Sequence, residues 1–109
     1  SQAIADGYQL LVLSDRAVGP ERVPLPTLLA VGAVHHHLVR HLERTKIGLV
    51  VESGEAREIH HFCLLFGYGA DAVNPYLAFE SMMWMKAEGV LDAEYTRDKI
   101  VGNYIKAIK

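Results

Sequence analysis

The chain has 109 residues, half of them hydrophobic, and its 11 basic and 13 acidic side chains leave a formal net charge of −2. This length suits one domain with a single modest core, and no block of like charges indicates a nucleic-acid or membrane-surface partner. Neither an apolar stretch of about 18 residues nor a signal-peptide pattern is found, so we expect a cytoplasmic protein without membrane contact.

The first strand–helix unit is predicted at about residues 8–44. An apolar strand at Leu10–Leu13 leads into Val18–Pro26, where three prolines favour a loop. Thr27 is predicted to cap an amphipathic helix that runs to about Arg44.

The second unit is predicted at about residues 47–66. The strand Ile47–Val51 is apolar throughout, which is typical of a parallel strand that is covered on both faces. The following helix is expected from Gly54 to Phe66, with Ser53 as its cap and Glu55 in its first turn.

The third unit is predicted at about residues 70–89. It consists of a short strand, Ala70–Val73, and a helix whose first turn contains Pro75. A last helix is expected over about residues 93–109. Three successive strand–helix units indicate an α/β fold with a mainly parallel sheet, followed by the C-terminal helix. Because three strands leave apolar surface uncovered, we expect self-association or a place within a larger α/β domain.

Polar turns follow all three predicted strands. The carboxyl ends of parallel strands meet at one edge of a sheet, where ligands and catalytic groups collect. We therefore predict that these turns share one rim and that their side chains face neighbouring domains or a ligand. The candidate rim residues are Ser14, Asp15, Arg16, Glu52, Ser53, Asn74 and Tyr76.

Neither acid–base catalysis nor phosphate binding is the favoured interpretation of these turns. Two of the carboxylates of Asp15, Glu52 and Glu55 could form an acid–base pair, but Glu55 suits a helix entry better. A phosphate cradle needs a glycine-rich turn between a strand and a helix, whereas Gly67-Tyr68-Gly69 precedes a strand and permits a tight reversal. We predict no catalytic or cofactor-binding residue.

The six histidines could suggest a metal site, since His37 and His41 lie four residues apart on the predicted helix. The consecutive residues His35, His36 and His37 point about 100° apart, however, and cannot converge on one ion. We predict packing, capping or surface roles and no metal site.

The single cysteine, Cys63, cannot form an internal disulfide or supply an iron–sulfur cluster, which needs several thiolates. Helical spacing places it with Ala56, Ile59 and Phe66. We therefore expect it to be a buried, unreactive core residue.

Four long segments resemble the central domain of the large subunit of glutamate synthase, in the same order and over nearly the whole chain. They are Leu13–Arg16, Leu29–Leu38, Val51–Glu58 with His60–Phe62, and Gly67–Glu80. The resemblance implies that residues 1–109 form part of that central domain. Enzymes of this family make glutamate from 2-oxoglutarate and ammonia released from glutamine.

In such an enzyme, the resemblance implies an amidotransferase domain before the central domain and a barrel after it that binds FMN and an iron–sulfur cluster. This chain contains neither, so we expect an inactive scaffold between domains, in the cytoplasm or in a plastid. The electron donor, NADPH, NADH or ferredoxin, is left open. The alternative is a free-standing α/β module that binds a phosphate or a flavin.

Overall fold

The computed structural model describes every residue from Ser1 to Lys109. No helix is long and apolar enough to cross a membrane. The elements in chain order are α1 (Gln2–Ala5), β1 (Leu10–Ser14), α2 (Thr27–Arg40), a 3-10 turn (Arg44–Lys46), β2 (Gly48–Glu52), α3 (Ile59–Gly67), β3 (Ala72–Asn74), α4 (Tyr76–Ala87) and α5 (Arg97–Ile108).

The three strands form one parallel sheet in the order β1-β2-β3, which confirms the predicted α/β class. Parallel neighbours need a crossover connection, and α2 and α3 supply the two crossovers. The register pairs Ser14 with Glu52 and Glu52 with Asn74. The last residues of the three strands are therefore direct neighbours.

The core lies on one face of this sheet. Leu49 and Val51 of β2 and Val31 of α2 are fully buried. Phe62 and Leu65 of α3 are buried in the same cluster. Both crossover helices lie on the same face because successive right-handed crossovers in one direction place them there.

The opposite face of the sheet is largely uncovered at β1. Leu10 and Val12 are 64% and 55% exposed, whereas Leu11 and Leu13 pack against the core. Cover on both faces was predicted for β2, where Val50 on this face is half-buried, and it does not extend to β1.

Helix α2 is shorter than predicted. It ends at Arg40 instead of about Arg44, and Leu42 takes a left-handed backbone conformation with φ of 59°. Thr27 does not cap the helix, because Pro26 occupies the capping position and Thr27 is the first helical residue.

Helix α3 begins at Ile59, five residues later than predicted, so Ser53 is not its cap. Phe62 and Leu65 face the core, and Cys63 is exposed. The prediction of a buried Cys63 is therefore wrong, because the helix turns a different stripe towards the sheet.

The third unit and the last helix have the predicted order with shifted bounds. β3 starts at Ala72, and Pro75 lies just before α4 instead of in its first turn. Helix α5 begins at Arg97, and its cap Thr96 accepts a 3.2 Å hydrogen bond from the Lys99 backbone N–H.

Candidate functional site

The seven candidate rim residues lie together at the carboxyl end of the sheet. Their side chains form two adjacent hydrogen-bonded groups, one around Glu52 and one around Asp15, and Arg16 contacts both groups. We call this set the rim network: Ser14, Asp15, Arg16, Glu52, Ser53, Asn74 and Tyr76.

The first group joins the ends of all three strands through the carboxylate of Glu52. The Ser14 hydroxyl donates to Glu52 Oε1 at 2.7 Å, and the Asn74 amide donates to Oε2 at 3.2 Å. Arg16 Nε lies 2.8 Å from Oε1. A single carboxylate on the central strand thus bonds to both neighbouring strands.

These contacts lower the pKa of Glu52. The largest cause is the Ser14 hydroxyl, while the Arg16 charge and the Asn74 amide add to it and desolvation opposes it. Glu52 is therefore ionised at neutral pH. This protonation state suits an ion-pair partner and does not suit a general acid.

The second group surrounds the carboxylate of Asp15. The Tyr76 hydroxyl donates to Oδ1 at 2.5 Å, and the Gly54 backbone N–H lies 3.0 Å from Oδ2 and 3.2 Å from Oδ1. The Ser53 hydroxyl donates to Oδ2 at 3.4 Å. Asp15 thus occupies the backbone N–H donor of Gly54 in the turn that follows β2.

The pKa of Tyr76 is raised to about 12, chiefly because its hydroxyl donates to Asp15, with further contributions from desolvation and the Asp15 charge. The Arg16 guanidinium lies 4.4 Å from the centre of the Tyr76 ring. Tyr76 is therefore a neutral donor at physiological pH, held between an acidic and a basic side chain.

Thr27 and Glu55, which are not among the seven candidate rim residues, also bond at the rim. Thr27 Oγ1 and the fully buried Ser53 Oγ are 2.8 Å apart, and Ser53 Oγ also accepts from the Glu55 backbone N–H at 3.0 Å. The Thr27 backbone N–H donates to Glu55 Oε2 at 3.4 Å. Local sequence patterns predict a capping role for each of Ser53 and Thr27, and none of them indicates that the two side chains bond to each other.

A second polar cluster lies at the amino end of β2 and β3 and was not predicted. We call it the arginine clasp. The Arg44 guanidinium donates to His35 Nδ1 at 3.0 Å, to the carbonyls of Ile47 at 2.9 Å and Gly69 at 2.6 Å, and to Asp71 Oδ2 at 2.9 Å. It therefore links α2 to the starts of two strands.

Asp71 and Gly69 both accept hydrogen bonds from Arg44 in the arginine clasp. The pKa of Asp71 is lowered, first by a 2.8 Å hydrogen bond from the Leu49 backbone N–H and then by Arg44. Gly69 has φ of 121°, and a Cβ there would overlap the His35 ring. Glycine is thus required for both backbone and packing reasons.

The remaining histidines do not converge. The rings of His37 and His41 stack with centroids 4.2 Å apart, and His41 Nδ1 lies 2.8 Å from the His37 carbonyl. His61 Nδ1 accepts from the Arg57 backbone N–H at 3.1 Å. No group of three or more His, Cys, Asp or Glu side chains has an arrangement that could hold a metal ion.

These features define an α/β domain whose strand-end turns are closed by their own side chains. A model of the glutamate synthase central domain matches residues 1–109, and the chain belongs to this family.

The curated relatives are glutamate synthases. The chain is 50% identical over 107 residues to the glutamate synthase [NADPH] large chain of Bacillus subtilis, which covers 98% of this chain and 7% of the relative. It is 50% identical over 91 residues to the glutamate synthase [NADH] of Saccharomyces cerevisiae, a match that covers 84% of this chain and 4% of the relative. It is 52% identical over 83 residues to the ferredoxin-dependent glutamate synthase of Pyropia yezoensis, a match that covers 74% of this chain and 5% of the relative. The chain thus spans less than a tenth of the length of these relatives.

Proposed function

We propose that this chain is a structural part of a glutamate synthase that connects catalytic domains and catalyses no reaction itself. The rim network supports this most directly. Seven polar side chains stand where an α/β domain usually binds its ligand, but they bond to one another and to nearby backbone groups. Such a network stabilises the strand ends and leaves the chemistry to other parts of the enzyme.

The partners in this proposal are a glutamine amidotransferase domain and an FMN-binding barrel of the same enzyme. Together they would make glutamate from 2-oxoglutarate and ammonia released from glutamine. The side chain of Arg16 is 50% exposed and that of Glu52 is 21% exposed. We assign the rim network to a contact with these domains, beside the route of ammonia between them.

The cofactors of the proposed enzyme do not fit the residues of this chain. An iron–sulfur cluster needs several cysteine thiolates, and Cys63 is the only cysteine. The phosphate of FMN would need free backbone donors, and the N–H of Gly54 is bonded to Asp15. FMN and the cluster therefore belong to other domains in this proposal.

We also assign the chain to a larger α/β domain. Only 14 of its 109 residues are buried, and β1 leaves apolar side chains exposed. Parallel sheets are normally covered on both faces. Further segments of the proposed enzyme would provide the missing cover.

Two measurements test the scaffold role. The isolated chain, supplied with glutamine, 2-oxoglutarate and a reduced electron donor, is expected to form no glutamate, and turnover by the chain alone would refute the proposal. The chain should also bind separately expressed amidotransferase or barrel domains. Arg16→Glu should weaken this binding at least tenfold, whereas the control Arg97→Glu, at an exposed position of α5, should not. Equal effects would contradict a role of the rim.

A groove of about 410 Å³ beside Ser14 and Asp15 is the observation that favours the alternative, a small-molecule binding module. Asp15 and Glu52 line it, so it is poorly suited to an anion. Saturable binding of FMN, a phosphate ester or 2-oxoglutarate in calorimetry would support this alternative over the scaffold.

A further inference from the structure

His35 is the only member of the arginine clasp that belongs to α2. The other members are the Arg44 guanidinium, the carbonyls of Ile47 and Gly69, and the Asp71 carboxylate, which lie in the 3-10 turn or just before β2 and β3. The 3.0 Å bond from Arg44 Nε–H to His35 Nδ1 is therefore the polar contact that ties the middle of α2 to these strand starts.

The direction of this bond fixes the protonation state of His35. A guanidinium has N–H donors only and stays charged in proteins. His35 Nδ1 must therefore supply the lone pair that accepts from Arg44, which leaves the ring neutral with its proton on Nε2. Both nitrogens of a histidinium carry a proton, so the bond to Arg44 cannot exist when His35 is charged.

The charged groups around His35 have opposite effects on a proton at Nδ1. Arg44, in the 3-10 turn, repels it, whereas the Asp71 carboxylate, 2.9 Å from Arg44 Nη2, attracts it. On α2 itself, the His36 ring meets the His35 ring edge-on, with centroids 5.2 Å apart. Asp71 is thus the counter-charge for a protonated His35, but the charged ring must give up the Arg44 Nε–H before it pairs with this carboxylate.

The space around the His35 ring is closed on one side and open on the other. The ring lies over Gly69, where a Cβ would overlap it. A groove of about 520 Å³ is lined by His35, Arg44 and Asp71, among others, and the Asp71 side chain is 56% exposed. A ring that leaves Arg44 can therefore turn into this groove, towards the exposed carboxylate.

We propose that His35 makes the arginine clasp a pH-sensitive switch. With a neutral His35 ring the clasp is closed, and α2 is joined to the turn before β3. Protonation of Nδ1 releases the ring from Arg44 and transfers it to Asp71. The clasp then opens on the side of α2, while the bonds from Arg44 to the Ile47 and Gly69 carbonyls persist.

Opening of the clasp is a local change, because other contacts hold α2 in place. At the rim, Thr27 Oγ1 remains 2.8 Å from Ser53 Oγ, and Val31 and Leu38 of α2 remain buried. We therefore expect acid to loosen the contact between α2 and the turn before β3 without unfolding the sheet.

NMR spectroscopy of the unmodified chain tests the switch from about pH 7.5 to about pH 5.5, the range in which histidine changes charge. At the upper end, His35 Nδ1 is expected to be unprotonated and the Arg44 Nε–H to be protected from solvent exchange. At the lower end, this protection, measured relative to the exposed Arg97 of the same chain, should fall about tenfold or more. The comparison with Arg97 removes the intrinsic dependence of exchange on pH.

His35→Asn separates the hydrogen bond from the titration. The asparagine oxygen can accept from Arg44 Nε–H but does not change charge, so its protection should be the same at both ends of the pH range. His60→Asn, at an exposed position of α3, is the matched control and should keep the fall in protection.

Three results would overturn the proposal. They are a proton on His35 Nδ1 at the upper pH, an Arg44 Nε–H that stays protected at the lower pH, and the same fall in protection in His35→Asn. The first two are measured on the unmodified chain and decide the question even if His35→Asn does not fold. None of the measurements involves catalysis or a partner domain, so they are independent of the scaffold role.

Discussion

The Tyr76 hydroxyl and the Asp15 carboxylate form a 2.5 Å hydrogen bond between residues 61 positions apart in the chain. It joins the turn after β1 to the first residue of α4, across the turn after β2. The same carboxylate accepts from Gly54 N. Through these two hydrogen bonds the Asp15 carboxylate links the three strand-end turns.

Tyr76→Phe should destabilise the chain by about 1.5–2 kcal/mol, since hydrogen bonds to charged groups contribute about that much. The ring contact with Arg16 is retained in the variant. Urea unfolding measures the change. Tyr8→Phe, at a 65% exposed position, is the control and should change stability by less than about 0.5 kcal/mol. Equal effects of the two substitutions would mean that the bond to Asp15 contributes nothing.

The ionisation of Tyr76 predicts a stability change at alkaline pH. Its folded-state pKa of about 12 is above the ordinary value of 10.0. The resulting stabilisation is fully present below pH 10 and is lost as the pH rises through the folded-state value. In a tyrosinate absorbance titration of the five tyrosines, Tyr76→Phe should remove a late-titrating group, and loss of an early one would contradict this assignment.

Two neighbouring glycines should respond in opposite ways to alanine. Gly69→Ala imposes a φ of 121° on an alanine and overlaps His35, so we expect a loss of about 3 kcal/mol. Gly67 lies in α3 with open space around it, and Gly67→Ala should be neutral or stabilising by up to about 1 kcal/mol. Thermal unfolding of both variants measures these changes. If Gly69→Ala caused only a small loss of stability, the turn would be able to adapt to a side chain.

Arg44→Ala should cost about 3 kcal/mol, because the Arg44 side chain is mostly buried and its loss leaves the carbonyls of Ile47 and Gly69 without this donor and Asp71 without its charged partner. Arg44→Lys should recover only part of this loss, since an ammonium cannot reproduce the planar guanidinium contacts. Arg40→Ala on the exposed end of α2 serves as the control. If chemical denaturation gave Arg44→Lys the same free energy of unfolding as the unmodified chain, this account would be contradicted.

The chain should lose stability in acid through Glu52 and Asp71. Both folded-state pKa values are lowered, so their stabilisation is present above the ordinary values of 4.5 and 3.8 and is lost as the pH falls through the folded-state values. Asp71→Asn should flatten the dependence of unfolding free energy on pH in this range. Glu94→Gln, at an exposed position outside both clusters, should leave the slope as it is.

The sequence predicts the sheet and the position of the rim because both follow from local patterns. An apolar run followed directly by a polar turn occurs at Leu10–Asp15 and again at Ile47–Ser53. The parallel arrangement then follows from the alternation of strands and helices.

The side-chain contacts could not be predicted, because they join residues far apart in the chain. Arg44 meets Asp71 across 27 positions, and Thr27 meets Ser53 across 26. Cys63 was misplaced because its orientation depends on where α3 begins and on which stripe meets the sheet. Periodicity alone sets neither of these.

The bond between Asp15 and Gly54 has a consequence for a protein surrounded by small anions. A tethered carboxylate acts at an effective concentration in the millimolar range or above, so a dissolved phosphate ester must compete with a group that never diffuses away. Replacing Asp15 with asparagine would remove that competitor's charge. We therefore expect the native chain to bind a phosphate ester at Gly54 more weakly than the Asp15→Asn variant does, which calorimetry would measure.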